Sequence, residues 1–218
     1  MQDTAKTEPK TISSSEFSIS RDAFSSGQVG SKIWLAQLLE TLAPAYSACG
    51  PHTVWIYGGW QGVMGFILLS RQASRADFQI ERIRSFDIDD QATEVANQIC
   101  ENWVWREWTF RAFTKDCDQL KHGELQPTEQ AEYGPSPTII INTSVEHFDN
   151  RNWFENIPEG TIVALQASDF EHEGAVALAK SDEAFAEAFP LREVWFTGAL
   201  DFNYGSWSFK RRMRIGRK

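Results

Sequence analysis

Residues 53–62 read Thr53-Val54-Trp55-Ile56-Tyr57-Gly58-Gly59-Trp60-Gln61-Gly62, and an apolar segment of helical length, Val63 to Ser70, follows at once. The residues before Gly58 are β-branched or aromatic, a short buried-strand pattern. A strand that passes through a glycine turn into a helix gathers backbone N–H groups at the positive end of a helix dipole. Such a turn makes a site for an anionic or polar ligand. Tyr57, Gly58, Gly59, Trp60 and Gly62 are therefore the first candidate binding residues.

Downstream, the alternation repeats. Strand patterns over Ile83–Ile88, Thr109–Lys115, Thr138–Thr143 and Thr161–Ser168 interleave with helical patterns at Asp90–Glu101, near Asp149–Asn156 and at Ser181–Ala188. Alternating strands and helices predict a parallel sheet with helices on both faces. The ending departs from this rule, because Glu193–Asp201 and Ser208–Ile215 are two strand patterns joined by Phe202-Asn203-Tyr204-Gly205 with no helix between them. They predict an antiparallel hairpin at the sheet edge. The fold class is thus α/β, a Rossmann-like sheet that is parallel except for a C-terminal antiparallel hairpin. Residues 121–137 read as a long connection.

Upstream, Ser31 to Leu42 places Ile33, Trp34, Leu38 and Leu42 on one helical face, with Pro44 as its stop. Residues 1–22 are polar and without hydrophobic periodicity, a flexible lead-in, and residues 23–218 are expected to form a single domain. The longest apolar run, Val63 to Leu69, is far shorter than the ~18 residues of a membrane span, so no membrane partner is expected. Thirty acidic against 21 basic residues leave a net charge of −9. Six basic residues (Lys210, Arg211, Arg212, Arg214, Arg217 and Lys218) crowd the last nine positions, so the rest carries −15. A body that acidic repels phosphate backbones, which argues against a nucleic-acid partner. Lys210, Arg212 and Arg214 alternate along the last strand and are expected on its solvated face, protecting a sheet edge; the alternative is an anion-binding surface. Cys49, Cys100 and Cys117 lie far apart without CxxC spacing, and read as reduced thiols. Neither a secretory nor a transit pattern opens the chain, so the expected location is cytoplasmic.

Acids stand at the tips of two further strands. The second strand ends in Phe86-Asp87-Ile88-Asp89, and a carboxylate there can accept from both hydroxyls of a ribose. The third ends in Lys115-Asp116-Cys117-Asp118, where Asp116 is placed either to accept from an adenine amino group or to cap a following turn. Asn142, Glu146 and His147 form a polar cluster after the fourth strand, at the sheet edge where ligands of open α/β sheets bind. An imidazole is the ordinary general base near neutral pH. The alternative is that Glu146 and His147 merely satisfy loop backbone.

With a glycine turn, two strand-tip acids and a terminal hairpin, residues 50–217 resemble the class I S-adenosylmethionine-dependent methyltransferases. The resemblance implies S-adenosylmethionine as cofactor and methyl transfer to a small-molecule substrate, with no metal. By resemblance, Tyr57, Gly58, Gly59, Trp60 and Gly62 would shape the loop around the methionine moiety. Asp87 would hold the ribose and Asp116 the adenine amino group, with Ile88 and Cys117 as further cofactor-binding residues, and Asn142, Glu146 and His147 would lie beside the reacting methyl group, Asn142 also binding the cofactor. Gln28 and Ser31, in a region that often folds over the cofactor, are candidates for its carboxylate or for the acceptor. Tyr204 and Trp207 either wall the pocket or fill the core.

Two positions depart from the family pattern. Ile56 stands where an acid usually holds the methionine amino group, and Trp60 where a glycine is usual. An indole at Trp60 either faces the sulfonium, a cation–π contact worth ~0.5 to 2 kcal/mol, or fills space. The lost amine anchor opens a second reading, attack on the methionine side chain: aminocarboxypropyl transfer, lyase chemistry or cyclisation to azetidine-2-carboxylate, releasing methylthioadenosine. A non-catalytic binding subunit is the third.

Overall fold

The computed structural model describes residues 18–46, 51–72, 78–104, 109–122, 124–172 and 174–218. Seven strands form one sheet: β1 (His52–Tyr57), β2 (Ile80–Asp87), β3 (Phe110–Thr114), β4 (Ile139–Asn142), β5 (Ile162–Ser168), β6 (Glu193–Asn203) and β7 (Ser208–Arg217). Their order is β3-β2-β1-β4-β5-β7-β6. The first five run parallel, and β7 pairs antiparallel with both β5 and β6. Among the described residues seven α-helices accompany them: α1 (Ser26–Tyr46), α2 (Val63–Gln72), α3 (Asp90–Ile99), α4 (Glu101–Val104), α5 (Pro127–Tyr133), α6 (Asn152–Glu155) and α7 (Asp182–Ala188).

Strand alternation divides the core in two. Val54, Ile56, Ile139, Ile141, Ala164, Met213 and Ile215 point to one face, against α1 and α2. Trp55, Tyr57, Ile140, Val163 and Leu165 point to the other, packed on Trp153, Phe185 and Phe189. All six residues of β1 are buried, the mark of a central parallel strand covered on both sides.

Three expectations need correction. Helix α1 starts five residues earlier than expected and carries Pro44 inside its last turn. The residues it buries most deeply are Leu35, Ala36, Leu39 and Ala43, while Ile33, Trp34, Leu38 and Leu42 flank them. The connection 121–137 contains α5, which begins with Pro127 at its first position and a capping box between Gln126 and Glu129. The basic C-terminus is not a solvated edge, because β6 is the edge strand and β7 lies inside the sheet. Arg212 donates to the Ala179 and Lys180 carbonyls and pairs with Asp182 at 2.6 Å. Arg214 donates to Ala186 and Phe189, and the Lys218 ammonium to Phe154, Glu155 and Ile157. Arg214 and Lys218 thus meet carbonyl groups at the C-terminal ends of α7 and α6, where a positive charge is favourable, while Arg212 ties down the chain entering α7.

Candidate functional site

A cavity of about 1130 Å³ opens at the C-terminal edge of the parallel strands. Its floor at β1 is the glycine turn. The Gly59 N–H donates to the Phe86 carbonyl at 3.1 Å, tying the turn to β2. Gly62 has φ +77°, and a Cβ there would lie 2.8 Å from Ala96, so the turn lets α2 start hard against α3. Trp60 also has positive φ (+46°). The left-handed conformation that suits a glycine is therefore kept, at a cost of order 1–3 kcal/mol for a bulky residue. Its indole is half-buried, packs against the core and lines the cavity.

That strained backbone aims the Trp60 N–H at Asp87, whose Oδ2 accepts it at 2.7 Å while Oδ1 accepts from Asp89 N at 3.1 Å. Each oxygen keeps a second acceptor site. Burial raises the Asp87 pKa above the ordinary aspartate value, against the hydrogen bonds from Asp89 and Trp60. Ile88, next in the chain, lines the cavity with 76% of its surface exposed, an apolar side chain turned to an open space. Asp116 and Cys117 line the same end. Of the two readings of Asp116 the cap is seen: its carboxylate caps the turn Cys117–Gln119 through Asp118 N (2.9 Å) and Gln119 Nε2 (3.1 Å), at the cavity wall. The Cys117 thiol is held strongly protonated by burial.

Three expected residues lie behind the wall. Tyr57 is fully buried, its hydroxyl 2.9 Å from His122 Nε2. Gly62 shapes the turn from beneath, and Asn142 is fully buried, its Oδ1 accepting from Ser144 N at 2.8 Å. An amide that caps the chain exit from β4 is not available to a ligand in this conformation. Ser31 is likewise buried and donates to the Gln28 carbonyl, whereas Gln28 reaches the cavity.

Glu146 and His147 do line the cavity, in different states. Glu146 is 2% exposed and ion-paired with Arg211 Nη1 at 2.7 Å, while its backbone carbonyl accepts from Val176 and Ala177. His147 is exposed, with Nδ1 3.1 Å from the Gly174 carbonyl. Donation from Nδ1 leaves the lone pair of the neutral ring on Nε2, available for a proton. Tyr204 and Trp207 wall the cavity rather than fill the core, stacked at 4.4 Å between ring centroids and continued by Phe209 and Phe170. The Tyr204 hydroxyl lies 2.8 Å from Ser26 Oγ, fixing the hairpin tip over the start of α1.

Sequence reasoning passed over Lys32 and saw Arg211 only as part of a basic strip that could bind an anion; both are buried at the cavity. A signal existed in each case: Lys32 sits in the inward series with Leu35, Ala36 and Leu39, and Arg211 alternates with Phe209 and Met213 on an inward strand face. Of the three cysteines, Cys100 and Cys117 are free thiols. Cys49 and residues 1–17 lie outside the described residues. Among the described residues no group of three or more His, Cys, Asp or Glu side chains converges as metal ligands, and no helix is long and apolar enough to cross a membrane.

No known protein-family model matches the chain, and neither does any curated protein sequence. Solved structures do match. The N-methyltransferase NodS from Bradyrhizobium japonicum WM9, in complex with S-adenosylhomocysteine, superposes with a TM-score of 0.57 at 12% identity, over 87% of this chain and 87% of that one. The magnesium protoporphyrin IX methyltransferase ChlM from Synechocystis PCC 6803, with bound S-adenosylmethionine, gives 0.54 at 12% identity, over 86% and 80%. The sheet order, the antiparallel β7 and these superpositions make the fold that of the class I S-adenosylmethionine-dependent methyltransferases.

Proposed function

We propose that this protein binds S-adenosylmethionine at the β1–β3 end of the cavity and transfers its methyl group to a small molecule held at the other end. The observation that carries this is the Asp87 carboxylate, fixed at the tip of β2 by the Trp60 and Asp89 N–H groups, beside a glycine turn and the exposed Ile88. The residues present fit an adenosyl group: a carboxylate with spare acceptors for a ribose diol, an apolar side chain for a base, and Asp116 at the far wall. At about 1130 Å³ the cavity slightly exceeds the ~300–1,000 Å³ usual for one small ligand, room for a cofactor and an acceptor together.

When bound, the cofactor supplies a methyl group on a sulfonium. The chain's own part is placement. Asp87 fixes one end of the ligand, the glycine turn excludes water beneath it, and the hairpin aromatics confine the acceptor, which orients the reacting groups at little further entropic cost. His147 Nε2 can take the proton that an amine or hydroxyl acceptor loses. Asp22, Asp87, Asp116, Asp118 and Asp149 give the wall a negative field suited to a cationic cofactor.

One observation favours a second reading. Ile56 is 1% exposed and apolar at the position expected to anchor the methionine amine, so nothing at that point of β1 restrains the methionine chain from bending. Aminocarboxypropyl chemistry, including ring closure, would then follow. Mass spectrometry after incubation with S-adenosylmethionine, alone and with a metabolite extract, separates the readings. Methyl transfer requires S-adenosylhomocysteine that accumulates only with extract. Methylthioadenosine formed from the cofactor would replace that reading with the second, and neither product would leave a binding role.

A further inference from the structure

The cavity does not end where a cofactor anchored on Asp87 would. It continues to Arg211 on β7, four strand spacings from β2 in the order β2-β1-β4-β5-β7, on the order of 19 Å. At that far end Lys32 projects from the inward face of α1 and is 7% exposed. Its Nζ donates to Gln28 Oε1 at 2.6 Å, a neutral partner. Across from it Arg211 Nη1 donates to Glu146 Oε1 at 2.7 Å and to the Thr143 carbonyl at 3.3 Å. Ser168 pairs with Arg211 in the β5–β7 register, and Lys32, Gln28, Glu146, Ser168 and Arg211 all line this cavity.

We propose that Lys32, with Arg211 and Gln28 beside it, forms an anion subsite that receives a carboxylate of the acceptor, which makes the acceptor a small organic acid; this rests on the transfer reading above. Glu146 is already committed to Arg211, which leaves Lys32 with the neutral Gln28 as its hydrogen-bond partner. Facing Lys32 are Arg211 from β7, Glu146 from the turn after β4, and Asp22 from the turn before α1. Burial is the largest influence and the Arg211 charge the next; together they outweigh Glu146 and Asp22 and bring the Lys32 pKa to about 7. A buried ammonium short of a counter-ion is costly, and a methionine would fill the same helix position without that cost. A carboxylate entering there supplies the missing charge. The apolar remainder of such an acid would lie on the stacked rings of Phe209, Trp207 and Tyr204.

Calorimetric titration of the full chain tests this, with benzoate as probe and benzamide as its uncharged isostere, each with and without saturating S-adenosylhomocysteine. Benzoate is expected to bind at least about tenfold more tightly than benzamide. Lys32→Met removes that preference without lowering Tm, and Lys32→Arg retains it. On wild type alone, repeating the benzoate titration in buffers of different ionisation heat at about pH 8 should show proton uptake, since an anion beside Lys32 raises its pKa. Equal binding of the two probes, no saturable benzoate binding, or a preference that survives Lys32→Met overturns the proposal. The same chemistry exists in the cofactor's own carboxylate, so S-adenosylhomocysteine and methylthioadenosine are titrated in parallel. Lys32→Met should leave both unchanged, and selective weakening of S-adenosylhomocysteine would move the subsite to the cofactor and overturn the acceptor assignment. Absence of all nucleoside binding with the benzoate preference intact would refute the transfer reading and leave the anion subsite standing.

Discussion

The two ends of the cavity are built by different means. At the β1–β3 end each contributing residue sits at or just beyond a strand tip: Gly58 after β1, Asp87 at the end of β2, Asp116 after β3. The ionisable groups there are acids held mainly by backbone N–H groups. At the β5–β7 end the contributors come from α1, the turn after β4, and β7, up to 179 positions apart from Lys32 to Arg211. There Arg211 and Glu146 hold each other, and Lys32 is held by the neutral Gln28. One end is a property of local chain geometry and the other of tertiary assembly, so the two should fail differently when altered.

The largest contrast concerns stability. Glu146→Ala strips the buried Arg211 of its counter-charge and should destabilise the fold by about 3–5 kcal/mol, read by urea denaturation. Asp87→Ala, which removes a carboxylate whose burial is unfavourable, should cost far less. Equal losses would erase the distinction between the ends.

Next is Lys32. Its folded pKa of about 7 lies below the ordinary lysine value of 10.5, so the unfolded chain binds more protons between those values and wild-type stability rises with pH across that window. Lys32→Met lacks this term. It should exceed wild type in stability by a few kcal/mol, to order of magnitude, below about pH 7, with the gap closing toward pH 10.5. Denaturation curves of both proteins at several pH values check the sign, and a gap independent of pH would contradict it.

Asp87→Ala should weaken S-adenosylmethionine binding by roughly 1.5 to 3 kcal/mol through lost hydrogen bonds to a charged acceptor. Because burial raises the Asp87 pKa, wild-type affinity should also fall on acidification at a higher pH than an ordinary aspartate would give. The smallest effect belongs to Trp60. If its indole faces the sulfonium, Trp60→Leu reduces the preference for S-adenosylmethionine over S-adenosylhomocysteine by up to about 2 kcal/mol, measured as a ratio of dissociation constants. An unchanged ratio assigns the indole to packing.

The sheet, the hairpin and the Asp87 end were legible because strand periodicity, glycine turns and strand-tip acids are local patterns. Helix α5 was not, since its apolar content is low and its capping box is read only once the helix is suspected. The β7 charges were misread because alternation gives faces but not strand order. Only the insertion of β7 between β5 and β6 shows that Arg212 and Arg214 meet helix ends rather than water. Asn142 illustrates the same limit, since whether an amide at a strand tip faces a ligand or caps its own chain depends on a rotamer, not on position.

The central claim is that the Asp87 end accepts an adenosyl ligand. Calorimetric titration of the full chain with S-adenosylhomocysteine, which cannot react, tests it most directly. The account predicts saturable one-site binding that Asp87→Ala weakens and Lys32→Met leaves unchanged. No binding by either S-adenosylhomocysteine or S-adenosylmethionine at millimolar concentration would contradict it.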